Sequence, residues 1–159
     1  MGSARPEARR LDIKTPRLSV VVARWNTDIT EGLLSGVFRA CYSQGVDHDR
    51  LSIFHVPGAF ELALGVQQAA RTGQFDGVIA LGSVIRGDTP HFDYVCAEAT
   101  RGIGQVTLEE SVPIAFGLLT TDTHEQALLR SSENDSNKGE EATFAVLEMI
   151  NTLRLIWNR

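Results

Sequence analysis

The run Gly82-Ser83-Val84-Ile85-Arg86-Gly87-Asp88-Thr89-Pro90-His91-Phe92-Asp93 carries the residue types best suited to chemistry: an imidazole just beyond a glycine turn that opens a helix. Thr89 is spaced to cap that helix, and Pro90 suits its first position, where a missing N–H costs nothing. Free amides near residues 87 to 91 would then point at one spot that favours an anion. His91 on the first turn would stand beside any phosphate held there, and imidazole is the side chain best fitted to moving protons near neutral pH. On spacing alone, the same histidine could equally do no more than satisfy a helix end.

Such a junction needs a frame, and the chain supplies a regular one. Leu18 to Ala23 is a short apolar run rich in β-branched residues, read as a buried strand. Asp28 with Glu31 resembles a capping box, and Leu33, Leu34, Val37, Phe38 and Cys41 recur at helical spacing until Gly45. The alternation repeats with a strand over 51–56, a helix over 59–71, an all-apolar strand over 77–85 and a long helix from Pro90 to about Glu110. Gly102 and Gly104 in that helix point to close packing or a bend. A fourth strand follows over 113–119, then a short helix over 122–130, a polar loop over 131–137 and a terminal helix over 139–157. Strands that look buried on both faces, each followed by a helix, imply a parallel sheet between two helical layers, an α/β three-layer sandwich.

In such sheets ligands sit beyond the carboxyl ends of the strands. That rule gathers Trp25 and Asn26, the segment Pro57 to Glu61, the turn Gly87 to His91, and Thr120 to Asp122. Trp25 and Phe60 offer flat faces for a planar heterocycle, and Glu61 offers an acceptor for hydroxyls. Trp25 could equally be plain core packing. His48, His55, His91 and His124 show no metal-ligand spacing, and no dinucleotide or Walker fingerprint appears.

The 159 residues suit one domain, read as residues 17–159 behind a flexible N-terminal arm over residues 1–16. With 20 acidic against 15 basic residues and a net charge of −5, nucleic acid is a poor partner. Two widely spaced cysteines, Cys41 and Cys96, fit neither a disulfide framework nor a zinc site. With no apolar leader or membrane span, the expected location is the cytoplasm. Arg86-Gly87-Asp88 also spells an adhesion-type tripeptide, a short pattern that arises readily by chance.

Lys138 is one of only two lysines, and it precedes the terminal helix; Arg130 and Glu141 would ordinarily be read as complements to helix dipoles. An ordered set of segments gives them another meaning. Ala23-Arg24-Trp25-Asn26, Val56-Pro57-Gly58-Ala59-Phe60-Glu61-Leu62, Ala80-Leu81-Gly82 through Phe92-Asp93-Tyr94, Pro113 to Thr120, Glu125-Gln126-Ala127 and Asn137-Lys138-Gly139 together resemble the lumazine synthase family.

The resemblance implies a flavodoxin-like, four-stranded, mainly parallel sheet and a transferase of riboflavin biosynthesis. It implies that 5-amino-6-(D-ribitylamino)uracil condenses with 3,4-dihydroxy-2-butanone 4-phosphate to 6,7-dimethyl-8-ribityllumazine, releasing phosphate and water, with no cofactor or metal. It places Trp25 as the ring-stacking aromatic with Asn26 beside it, and Ala59, Phe60 and Glu61 against the pyrimidine and ribityl chain. Val84 and Ile85 would line the ring pocket with backbone, Gly87, Asp88 and Thr89 would form the phosphate turn, and His91 would carry protons. Phe116 would be lent by a neighbouring subunit, Arg130 would pair with phosphate, and Lys138 and Glu141 would supply later polar contacts. The resemblance also implies a homo-oligomer with sites at subunit interfaces, either a pentamer or a 60-subunit shell of pentamers. The 131–137 loop carries no insertion, which is compatible with the shell. Trp25 stands where the family more often has phenylalanine, so its wider face is expected to bind lumazine or riboflavin.

Overall fold

In the computed structural model, residues 15 to 158 are described; the arm expected over residues 1 to 16 lies outside them up to residue 14. Four strands form one parallel sheet in the order β2-β1-β3-β4: β1 (Leu18–Ala23), β2 (Leu51–Val56), β3 (Gly77–Ile85) and β4 (Ile114–Thr121). Five α-helices connect and cover it: α1 (Thr27–Ser43), α2 (Leu62–Arg71), α3 (His91–Glu110), α4 (His124–Ser131) and α5 (Lys138–Trp157). The expected three-layer sandwich is the one observed.

Strand alternation divides the core in two. Leu18, Val20, Val22, Ile79, Leu81, Ala115 and Leu119 point to one face, where Ile29, Leu33 and Val37 of α1 meet Val146, Leu147 and Ile150 of α5. Val21, Val78, Ala80 and Leu118 point to the other, under Leu62 and Val66 of α2 and Ala99, Ile103 and Val106 of α3. Side chains one apart in a strand serve opposite layers, so the central strands must be apolar throughout. β1 meets the burial this requires at every residue, with Ser19 its one polar side chain. The outer strands do not: Phe54 on β2 is 49% exposed and Phe116 on β4 is 46% exposed, so burial on both faces holds for the two inner strands only.

Close approaches fix how the helices lie. A Cβ on Gly102 would sit 2.6 Å from the Cβ of Ala63, so this glycine lets α3 pack against α2, as its position in the helix predicts; Gly104 has open space. A Cβ on Gly139 would fall 1.9 Å from the carbonyl oxygen of Leu33, which makes α5 and α1 cross at backbone contact.

Two expected caps are corrected. α1 begins at Thr27 behind Asn26, so Asp28 lies inside the first turn and its carboxylate meets Nε2 of His124 at 2.7 Å instead of capping. α3 begins at His91 with Pro90 in the cap position, and no side chain caps it, Thr89 included. The short helix likewise starts at His124 rather than 122, because Thr123 caps it by accepting from the Gln126 amide.

Candidate active site

β1 leads through α1 to β2 on one side, while the chain then crosses to β3 on the other. The direction of winding therefore reverses between β1 and β3, and a crevice opens where their carboxyl ends diverge. Asn26 spans it. Its backbone takes the left-handed conformation with φ 58°, uncommon outside glycine, and its Nδ2 donates to the carbonyl oxygen of Ser83 at 2.9 Å. This bond holds the turn after β1 against the end of β3.

The resulting cleft has a volume of about 720 Å³, within the range of small-molecule sites. Trp25 and Asn26 wall one side, Ala59, Phe60 and Glu61 another, and Val84, Ile85 and His91 a third. Eight of the residues expected from sequence thus share one cavity. Trp25 is 72% exposed and Phe60 58% exposed, so both present ring faces rather than packing in the core. Gly58 lets Trp25 and Glu61 approach: a Cβ there would lie 3.1 Å from Trp25 Cδ1 and 3.2 Å from Glu61 Oε2.

Two wall residues escaped sequence reasoning: Ser83 and Val95. Ser83 stands out, since its Oγ is buried and takes no hydrogen bond among the described residues. A hydroxyl in an otherwise apolar strand was the available signal. It is an ambiguous one, because Ser19 in β1 carries the same kind of orphan oxygen away from the cleft.

Gly87, Asp88 and Thr89 are exposed beside the cleft without walling it. Among the described residues no acceptor takes the amides of Gly87, Asp88, Thr89 or His91, so the anion-favouring turn stays available at the mouth. Next to it, Arg86 reaches Asp122 with Nε at 2.9 Å and Asp93 with Nη1 at 3.2 Å. The hydrogen bond that Arg86 donates to Asp122, with help from Asp93, raises the pKa of this guanidinium above its ordinary value.

The remaining expected residues do not wall the cleft within one chain. Phe116 sits on the outer strand β4. Arg130 lies near the end of α4, with Nη1 donating to the Gln126 carbonyl at 2.9 Å. Lys138 opens α5 and pairs with Glu141, Nζ to Oε2 at 2.6 Å. Cys41 is buried, which pushes its thiol up to about 12 and leaves it a packing residue. Among the described residues no group of three His, Cys, Asp or Glu side chains could hold a metal, and no helix is long and apolar enough to cross a membrane.

The sequence pattern of the 6,7-dimethyl-8-ribityllumazine synthase family matches residues 15–154. A 6,7-dimethyl-8-ribityllumazine synthase of Desulfovibrio desulfuricans is 44% identical over 153 residues, covering 96% of this chain and 98% of its own length. The chain belongs to the lumazine synthase family. Membership makes it a transferase of riboflavin biosynthesis, and the flavodoxin-like sheet agrees with that assignment. In a lumazine synthase the substrates are a planar pyrimidine with a polyhydroxy chain and a small phosphorylated ketone. A cleft with two exposed aromatic faces, a carboxylate and an imidazole has the complementary chemistry.

Proposed function

We propose that this cleft is where 5-amino-6-(D-ribitylamino)uracil and 3,4-dihydroxy-2-butanone 4-phosphate condense to 6,7-dimethyl-8-ribityllumazine. The observation that carries the proposal is the meeting of Trp25, Glu61 and His91 around one cavity at the crossover of β1 and β3. Trp25 stacks on the ring, with Asn26 and the Val84-Ile85 backbone at its edge. Ala59, Phe60 and Glu61 take the pyrimidine and the ribityl hydroxyls. Gly87, Asp88 and Thr89 receive the phosphate with Arg130, which suits a bidentate bond to it.

The chemistry asks for proton movement and a seat for a leaving anion. The ring amine attacks the ketone, and water leaves as an imine forms. Phosphate then departs with its bonding electrons as a proton is lost from the neighbouring carbon, and closure of the second ring expels a further water. His91 is the group at hand to carry those protons, and free amides beside it stabilise the departing phosphate. Much of the remaining acceleration comes from holding two small reactants together. None of these steps calls for a redox cofactor or a metal.

Phe116, Arg130, Lys138 and Glu141 lie outside the cleft of their own chain, which supports a site completed by a second copy. We read the assembly as a pentamer, with a 60-subunit shell of pentamers open to it, and residues 17–159 as its single folded unit. The cytoplasm suits the two unpaired thiols, Cys41 and Cys96. Mixing both substrates with the protein and following lumazine fluorescence tests the function. His91→Ala is expected to lower kcat about 10- to 100-fold with residual turnover, and Arg130→Ala to act mainly by raising KM for the butanone phosphate. Wild-type kinetics in both variants would contradict these roles.

A further inference from the structure

We propose that Arg86 is a positioning residue for the reaction: its guanidinium ties the first turn of α3, which carries His91, to the end of β4 and so fixes the imidazole at the cleft. The proposal rests on reading His91 as the proton carrier. Arg86 follows the last residue of β3 directly, and its amide still donates to the Thr121 carbonyl at 2.9 Å, so its backbone is held by the sheet. Its side chain then makes three contacts from that fixed base. Nε bonds Asp122 at 2.9 Å beyond β4, Nη1 bonds Asp93 at 3.2 Å on α3, and the guanidinium carbon lies 4.2 Å from the centre of the Phe92 ring.

Asp93 and Phe92 are the two residues that follow His91, so the grip is on the turn bearing the imidazole. No side chain caps this helix, and the turn ahead of it makes few bonds of its own, so little else defines where the helix begins. Each contact is exposed and individually weak. Their value lies in direction, because a planar fork can serve two carboxylates and one ring face at once, whereas an ammonium cannot. Two carboxylates also neutralise the guanidinium, which makes it a poor ligand for the substrate phosphate. The same contacts fold the side chain back on its own chain, which removes the basis for reading Arg86-Gly87-Asp88 as an adhesion site.

A double-mutant cycle on the purified assembly tests this. Arg86→Ala is expected to lower kcat about tenfold while KM for either substrate stays within about threefold, since misplacement of a reacting group costs rate before affinity. Arg86→Lys should remain within about threefold of Arg86→Ala despite keeping the charge. In a His91→Ala background the Arg86→Ala change should alter kcat by less than about twofold, because the group it positions is gone. Sedimentation and circular dichroism should match wild type throughout. A rise in KM for the butanone phosphate with kcat intact, recovery by lysine, or an equal fall in both backgrounds would each overturn the proposal. A His91→Ala variant with wild-type kcat would instead remove the prior reading of His91, and the route from Arg86 with it, before any Arg86 substitution is measured.

Discussion

Asn137 and Asn26 each stand at the start of a helix, yet they use their side chains in opposite ways. Asn137 is buried, and its Oδ1 accepts from the Gly139 and Glu140 amides while Nδ2 donates to the carbonyls of Gly32, Ser131 and Ser132. It satisfies its own helix and stitches α1, the end of α4 and the start of α5 together. Asn26 gives its helix no side-chain bond, takes a left-handed backbone, and spends Nδ2 on the Ser83 carbonyl across the mouth of the sheet. The first asparagine is placed for the stability of the fold. The second accepts local strain so that two walls of the cleft keep their spacing, as functional sites commonly do.

This contrast is open to direct attack. Asn137→Ala would strip two capping bonds and leave three carbonyls without their partner in a packed interior, so a loss of about 4 kcal/mol or more is expected in urea unfolding. A loss below about 1 kcal/mol would erase the distinction between the two asparagines. Asn26 gives the finer test through a pair of variants. Asn26→Gly relieves the left-handed strain and should keep stability within about 1 kcal/mol of wild type, while Asn26→Ala keeps the strain and should be the less stable of the two. Both should lower turnover, because neither can hold Ser83. Full activity in the glycine variant would mean that the bond across the crossover is incidental.

Much of this architecture can be read in the residues. The first three strands have the bounds expected from apolar runs ended by turn residues, because local composition decides where such strands stop. The helix starts were harder. Asp28 with Glu31 has the pattern of a capping box, but its carboxylate is claimed by His124, 96 residues away, which no local window contains. Thr89 does not cap its helix either, because α3 begins at His91 behind Pro90, one residue later than a cap at Thr89 requires. The role of Asn137 was equally hidden: one of its acceptors, Gly32, is 105 residues distant.

For the site, strand-end reasoning gathered Trp25, Asn26, Phe60, Glu61 and His91, which share one cleft, together with Gly87 to Thr89 and Thr120 to Asp122, which do not wall it. It missed Ser83, whose significance lies in an unpartnered buried oxygen rather than in any spacing. Phe116, Arg130, Lys138 and Glu141 entered through family resemblance alone. Within a single chain they lie apart from the cleft.

The smallest structural effect is expected at Trp25. Its ring is 72% exposed, so Trp25→Ala should shift stability by less than about 0.5 kcal/mol. Its functional effect should be larger: riboflavin is expected to quench the fluorescence of the wild type, and most of that quenching should vanish in the variant. Unaltered quenching would move the stacking surface to another aromatic, such as Phe60, which also lines the cleft.

The most direct measurement is co-assembly of His91→Ala chains with Arg130→Ala chains, assayed for lumazine formation at low butanone phosphate. If a site draws His91 from one chain and Arg130 from its neighbour, about a quarter of the sites in an equal mixture are intact, and activity should rise well above either parent. Activity no higher than the mean of the two parent assemblies would contradict a site shared between copies.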